Sequence, residues 1–179
     1  MKTFKYIIIL LAVVLTGGQT FAQKISKAEL QVNGLTCSMC SKATETSLRS
    51  LSFIESIKPD LDRNIFVLTF KKDQQVNVDQ IRDKVQDAGF SIGELNATFN
   101  FNQTVIDEAG LAQSGHTVLK FTNAKNKTLN GAVTAKILDK DFISSSAFKK
   151  NAAQLKMDTY SSGRGTVNGK TTRIVHLSI

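Results

Sequence analysis

The chain has 179 residues, 23 Lys or Arg against 15 Asp or Glu, a formal charge of +8 and 41% hydrophobic residues. That apolar content suits a globular protein of one large domain or two small ones. The basic residues are scattered, with only the doublets Lys71-Lys72 and Lys149-Lys150, and no aromatic-basic interleaving forms a stacking platform, which argues against a nucleic-acid partner.

Residues 1–22 read as an export signal. Lys2 and Lys5 make the positive start, and Tyr6 to Leu15 is an apolar run too short to span a bilayer comfortably. Thr20-Phe21-Ala22 offers a small residue at the cut, so the mature chain is expected to start near Gln23 with no permanent membrane anchor, and no Cys follows the cut to carry a lipid. The expected location is periplasmic or secreted. Removing Lys2 and Lys5 leaves a net charge of +6, which could steer an acidic partner.

From Ile25 to about Thr98 the pattern predicts strand, helix, strand, strand, helix, strand. Ala28, Leu30 and Val32 alternate on one strand face, and Asn33-Gly34 breaks the strand. A helix is predicted from about Ser38 to Ser50. Ala43, Leu48 and Leu51 are its apolar contribution, with Thr44 and Ser47 weakening the stripe. Phe53 to Lys58 is a second strand ended by Pro59-Asp60, and Ile65 to Phe70 is a strong third. Asn77 can cap a second helix whose apolar face is Val78, Ile81, Val85 and Ala88, and Gly89 stops it. Phe90 begins a fourth strand.

The only two cysteines, Cys37 and Cys40, sit at the mouth of the first helix. Two thiolates three positions apart can grip one soft cation from one turn of backbone. Unpaired N–H groups and the helix dipole favour the thiolate there. A disulfide within this pair would close a tiny loop and stabilise little, so a metal clamp or a redox dithiol fits better than a staple.

These residues resemble the heavy-metal-associated domain, the ferredoxin-like fold of copper chaperones and of copper-pumping ATPase modules. The matching positions are Gly34, Thr36, Cys37 and Cys40, with Leu48 downstream and Ala88-Gly89-Phe90 after the second helix. Leu35 stands where the family usually carries Met, a change between apolar residues of similar size. The resemblance covers residues 25–98. It implies a non-enzymatic carrier of Cu(I), or of Zn, Hg or Cd, held by Cys37 and Cys40. It also implies a protein partner with its own soft-metal site, such as a membrane pump or efflux component. Two sulfurs suit low-coordinate Cu(I), whereas structural Zn(II) wants four ligands. Around the pair, Met39 and Ser38 are expected as exposed loop residues, Ser41 as exposed rather than bonded to sulfur, and Phe90 as packing beneath the site. The alternatives are a thiol-disulfide oxidoreductase and an interaction module without metal.

The second half, residues 102–179, is expected to be a small mostly-β domain with one helix, suggesting an OB-like barrel or sandwich, so that the whole is α+β. Strands are predicted over His116 to Phe121, Ala132 to Leu138 after a Leu129-Asn130-Gly131 turn, Lys156 to Ser161, and Thr171 to Ile179 after an Asn168-Gly169 hairpin. Ser144 to Leu155 reads as the helix. His116 and His176 are expected on strand surfaces rather than as metal ligands, and Met157 is a thin candidate donor. Asn96-Ala97-Thr98, Asn102-Gln103-Thr104 and Asn126-Lys127-Thr128 match the glycosylation pattern by chance in an Asn- and Thr-rich chain. No Ser-His-Asp arrangement is apparent, and Gly163-Arg164-Gly165 is a lone turn-like element.

Overall fold

The computed structural model describes residues 24–114, 117–167 and 169–179. The expected export signal, His116 and Asn168 lie outside the described residues.

Strand β1 (Lys24–Asn33) leads to helix α1 (Ser38–Arg49), strands β2 (Ile54–Asp60) and β3 (Ile65–Phe70), helix α2 (Val78–Asp87) and strand β4 (Ser91–Ile106). Antiparallel pairing gives the order β2-β3-β1-β4, the ferredoxin-like arrangement expected for this half. Alternation on β1 buries Ala28, Leu30 and Val32 against the helices. Leu48 of α1 and Ile81 and Val85 of α2 meet them, each wholly buried. Asn77 caps α2, its Oδ1 accepting from the backbone N–H of Asp79 at 3.0 Å and of Gln80 at 3.3 Å. Pro59 does not end β2. The strand continues to Asp60 because β2 lies at the edge of the sheet, where a missing N–H costs no ladder bond.

The face of α1 differs from the expectation. Ser41, Thr44 and Leu48 are its buried residues, while Ala43 is exposed. Small hydroxyl side chains let the first turns of α1 approach the sheet closely, and the Thr44 hydroxyl donates to the Cys40 carbonyl at 3.1 Å.

The second half contains β5 (Leu111–Ser114), β6 (Thr117–Phe121), β7 (Lys127–Ile137), α3 (Ser145–Leu155), α4 (Asp158–Ser162), β8 (Arg164–Val167) and β9 (Lys170–Ser178). The expected boundary near residues 98–102 falls inside β4, a 16-residue strand that pairs with β1 along one side and β7 along the other. The sheet therefore runs on as β4-β7-β9-β6-β5, with β8 paired to β9. This open path is α+β overall.

Three local readings are corrected. The Leu129-Asn130-Gly131 turn lies inside β7, where β4 carries an extra residue between Phe101 and Thr104. The left-handed φ of +79° at Gly131 and +43° at Gln103 serves this bulge. Lys156 to Ser161 is no strand: Lys156 takes a left-handed φ of +47° at the end of α3, and α4 follows, giving two helices instead of one. His176 is not on the surface. It is wholly buried, because β9 is covered on both faces over Ile174–Leu177.

Candidate metal centre

The loop after β1 turns at Gly34, whose φ of +89° favours a residue without Cβ. Phe90, half-buried at the start of β4, lies under that turn, since a Cβ on Gly34 would stand 3.4 Å from its Cδ1. Leu35 packs against the core beside it. These two apolar anchors hold the loop while leaving Thr36 and Cys37 exposed.

Cys37 is the N-cap of α1, with extended backbone at φ −150° and ψ 159°. Its sulfur takes the place of the usual cap oxygen and accepts the Cys40 N–H at 3.2 Å. Its carbonyl accepts the Ser41 N–H at 3.1 Å, closing the first helical turn. Cys40, half-buried, belongs to that same turn, and both cysteines are free thiols. The neighbouring Cys40 side chain, foremost, holds the Cys37 pKa below the ordinary thiol value. The N–H groups of Cys40 and Met39 add to this, against the opposing effect of burial. The site is thus a pair of sulfurs at a helix start, open to solvent, with the thiolate of Cys37 favoured by its surroundings.

Around it, Met39 is 80% exposed and Ser38 is exposed, as expected for loop residues. Ser41 is not: it is 5% exposed and turned toward the core, because its position faces the sheet. Among the described residues, no group of three or more His, Cys, Asp or Glu side chains gathers where an ion could sit. His176 is engaged elsewhere, with Nδ1 2.7 Å from Asp139 Oδ1 and Nε2 3.2 Å from Thr159 Oγ1. Met157 stands at the start of α4, in the second half. Near the loop the described sulfurs are those of Cys37 and Cys40, with the exposed Met39 thioether between them in sequence.

Residues 29–91 match the model of the heavy-metal-associated domain. The copper chaperone CopZ of Bacillus subtilis is 32% identical over 65 residues, which is 93% of that protein and 36% of this chain. The chain belongs to the heavy-metal-associated domain family. CopZ of Staphylococcus haemolyticus is 29% identical over 63 residues, covering 91% of that protein and 35% of this chain. Among solved structures, a CopZ metallochaperone is similar at 27% identity with a TM-score of 0.35, covering 98% of that chain and 37% of this one. The heavy-metal-associated match thus ends at the start of β4, and the rest of the sheet lies beyond it.

Sequence reading did not single out Arg173 or Asp79, which join the two halves. Arg173 Nε lies 2.9 Å from Asp79 Oδ2, and Arg173 Nη2 lies 2.9 Å from Asp139 Oδ2. The acidic residue in the first turn of α2 was the one local sign, and it reads equally well as a helix-dipole partner.

Proposed function

We propose that this protein carries a soft metal ion, Cu(I) foremost, on Cys37 and Cys40, and passes it to a partner by thiolate exchange. The observation that carries this is the cap geometry: two free sulfurs share one exposed helical turn, with the Cys40 N–H aimed at the Cys37 sulfur. Two soft donors suit Cu(I), and the same open pair could take Zn, Hg or Cd. An open two-sulfur site lets incoming thiolates add before the first pair leaves, so the ion moves without becoming free. The relatives named as copper chaperones support the choice of ion.

The second half would dock the receiving protein, a membrane pump or efflux component. Residues 24–98 hold ten basic and ten acidic side chains, whereas residues 99–179 hold eleven and five, so the mature excess of positive charge lies wholly beyond the metal domain. Such a field favours an acidic partner surface. Export of the chain is part of this reading, supported by the charged and apolar pattern of residues 1–22. No described helix is long and apolar enough to cross a membrane.

The test is competition of reduced protein with a Cu(I) chelator. One ion per chain is expected, with loss of binding in Cys37→Ala with Cys40→Ala. Retention of Cu(I) by that double variant rejects the reading. The lowered Cys37 pKa also suits a thiol-disulfide oxidoreductase. Rapid turnover in insulin reduction would favour that alternative.

A further inference from the structure

Arg164 and Arg173 are directly opposed partners on β8 and β9. Side chains at such a register position lie on the same face, and like charges directly opposite destabilise a strand pair. Arg173 has its counter-ions in Asp79 and Asp139. Arg164 has no ion-pair partner among the described residues.

The backbone holds Arg164 in place. Gly163, with φ +66°, ends α4, and its carbonyl accepts the Ile174 N–H at 3.0 Å and Arg173 Nη1 at 3.1 Å. A Cβ on Gly165 would meet Ile174 Cδ1 at 2.5 Å and Thr159 Cγ2 at 2.9 Å. The two glycines let β8 lie hard against β9, so that Arg164, exposed to solvent, lines the same clefts as Arg173.

Two clefts meet at this pair. One, of about 340 Å³, has a floor of Ile25, Phe99, Leu119 and Val175, with Val76 at its side. The other, of about 290 Å³, is polar, and includes Asp139, Tyr160 and Ser162. Arg164, Arg173 and Asp79 border both. An apolar floor next to a polar recess, with one unpaired cation at their border and built where two halves of a chain meet, is the form of a small-molecule site.

We propose that this junction binds an amphipathic monoanion, a carboxylate on an acyl or aryl body, with its head on Arg164, since the N–H groups of Arg173 are taken by Asp79, Asp139 and the Gly163 and Ile174 carbonyls, and its apolar part over Leu119 and Val175. One negative charge neutralises Arg164, and the nearby Asp79 and Asp139 oppose a second. This site is independent of Cys37 and Cys40.

The experiment titrates the reduced mature chain with octanoate, phenylacetate and octan-1-ol, following backbone amide resonances by NMR. Saturable shifts at Val76, Leu119 and Val175 are expected with octanoate or phenylacetate, the tighter of the two identifying the acyl or aryl source. Octan-1-ol should bind about tenfold more weakly, because it lacks the charge-assisted hydrogen bonds. Arg164→Gln should weaken the carboxylate about tenfold and leave octan-1-ol unchanged. The proposal is overturned if neither carboxylate saturates, if octan-1-ol binds as tightly, or if a folded Arg164→Gln binds carboxylate like the parent chain. The comparison of octanoate with octan-1-ol decides even where that variant fails to fold.

Discussion

Arg173 on the last strand holds Asp79 in the first turn of α2 through two contacts, Nε to Oδ2 at 2.9 Å and Nη2 to Oδ1 at 3.1 Å, across 94 residues of sequence. Burial pushes the Asp79 carboxyl up. The hydrogen bond and charge of Arg173, with Arg82, outweigh it and leave the carboxyl below its usual range. This pair, with Arg82 of α2 over the Phe142 ring, joins the metal domain to the second half on the helical side, beside the β4–β7 ladder.

Arg173→Met should lower stability by about 1–3 kcal/mol, since it leaves Asp79 with Arg82 alone and takes from Asp139 its arginine partner. Partial exposure of the pair reduces the cost below that of a fully buried bridge. Asp79→Asn should cost less, and the double variant should show coupling in chemical denaturation. Cu(I) stoichiometry should not change. Additive losses would remove the pair from the account.

The pH dependence has a definite sign. A carboxylate depressed in the folded state stabilises above its unfolded pKa of about 3.9, and that contribution falls as pH drops through the lower folded value. The difference in stability between the parent chain and Asp79→Asn should therefore be full at pH 6 and shrink in the acid region. Urea melts across that range measure it.

Cys37 should alkylate with a pH midpoint below the value of about 8.5 for a free thiol. Its thiolate is favoured by the Cys40 side chain first and by backbone N–H groups second. Cys40→Ala should move the midpoint up toward the ordinary value. Capture of metal by the parent chain should weaken as pH falls through the depressed Cys37 value. Mass spectrometry after timed iodoacetamide pulses reads the midpoint, and an unmoved value in Cys40→Ala would refute the assignment.

Gly34→Ala and Gly89→Ala test the support of the loop. Both glycines have left-handed φ, +89° and +87°, so each substitution should cost about 1–2 kcal/mol of strain. A Cβ on Gly34 would stand 3.4 Å from the Phe90 ring beneath the metal loop, whereas one on Gly89 meets nothing within 4 Å beyond its own chain neighbours. Cu(I) affinity should fall in Gly34→Ala and hold in Gly89→Ala. Equal affinities would show that the turn does not position the sulfurs.

Asp139→Ala should be the most damaging of the second-half variants, costing about 3 kcal/mol or more. Asp139 is 3% exposed and His176 is wholly buried. Removing the carboxylate strands His176 Nδ1 and takes a counter-ion from Arg173. Thermal unfolding of Asp139→Ala beside Asp139→Asn gives the measure, with Asn retaining part of the hydrogen bonding.

Local pattern sufficed for the order of elements in the metal half. Alternation at Ala28, Leu30 and Val32, the Asn77 cap and the glycine stop after α2 are effects of neighbours within a few residues, so they are legible in the chain alone. The Cys37–Cys40 spacing belongs to the same class, since one helical turn sets it. Other features depended on what each segment meets in space. Ser41 and Thr44 are polar by composition yet buried, because that side of α1 faces the sheet. His176 looks like a surface residue on an alternating strand, until the α4 segment closes over it and supplies Thr159. Gly131 reads as a turn until β4 supplies the extra residue that makes it a bulge. The union of the halves through β4, and the Arg164–Arg173 pair with its cleft, were decided by contacts between segments distant in sequence. Periodicity reports which side of a segment is apolar; only the assembled sheet decides what covers the other side.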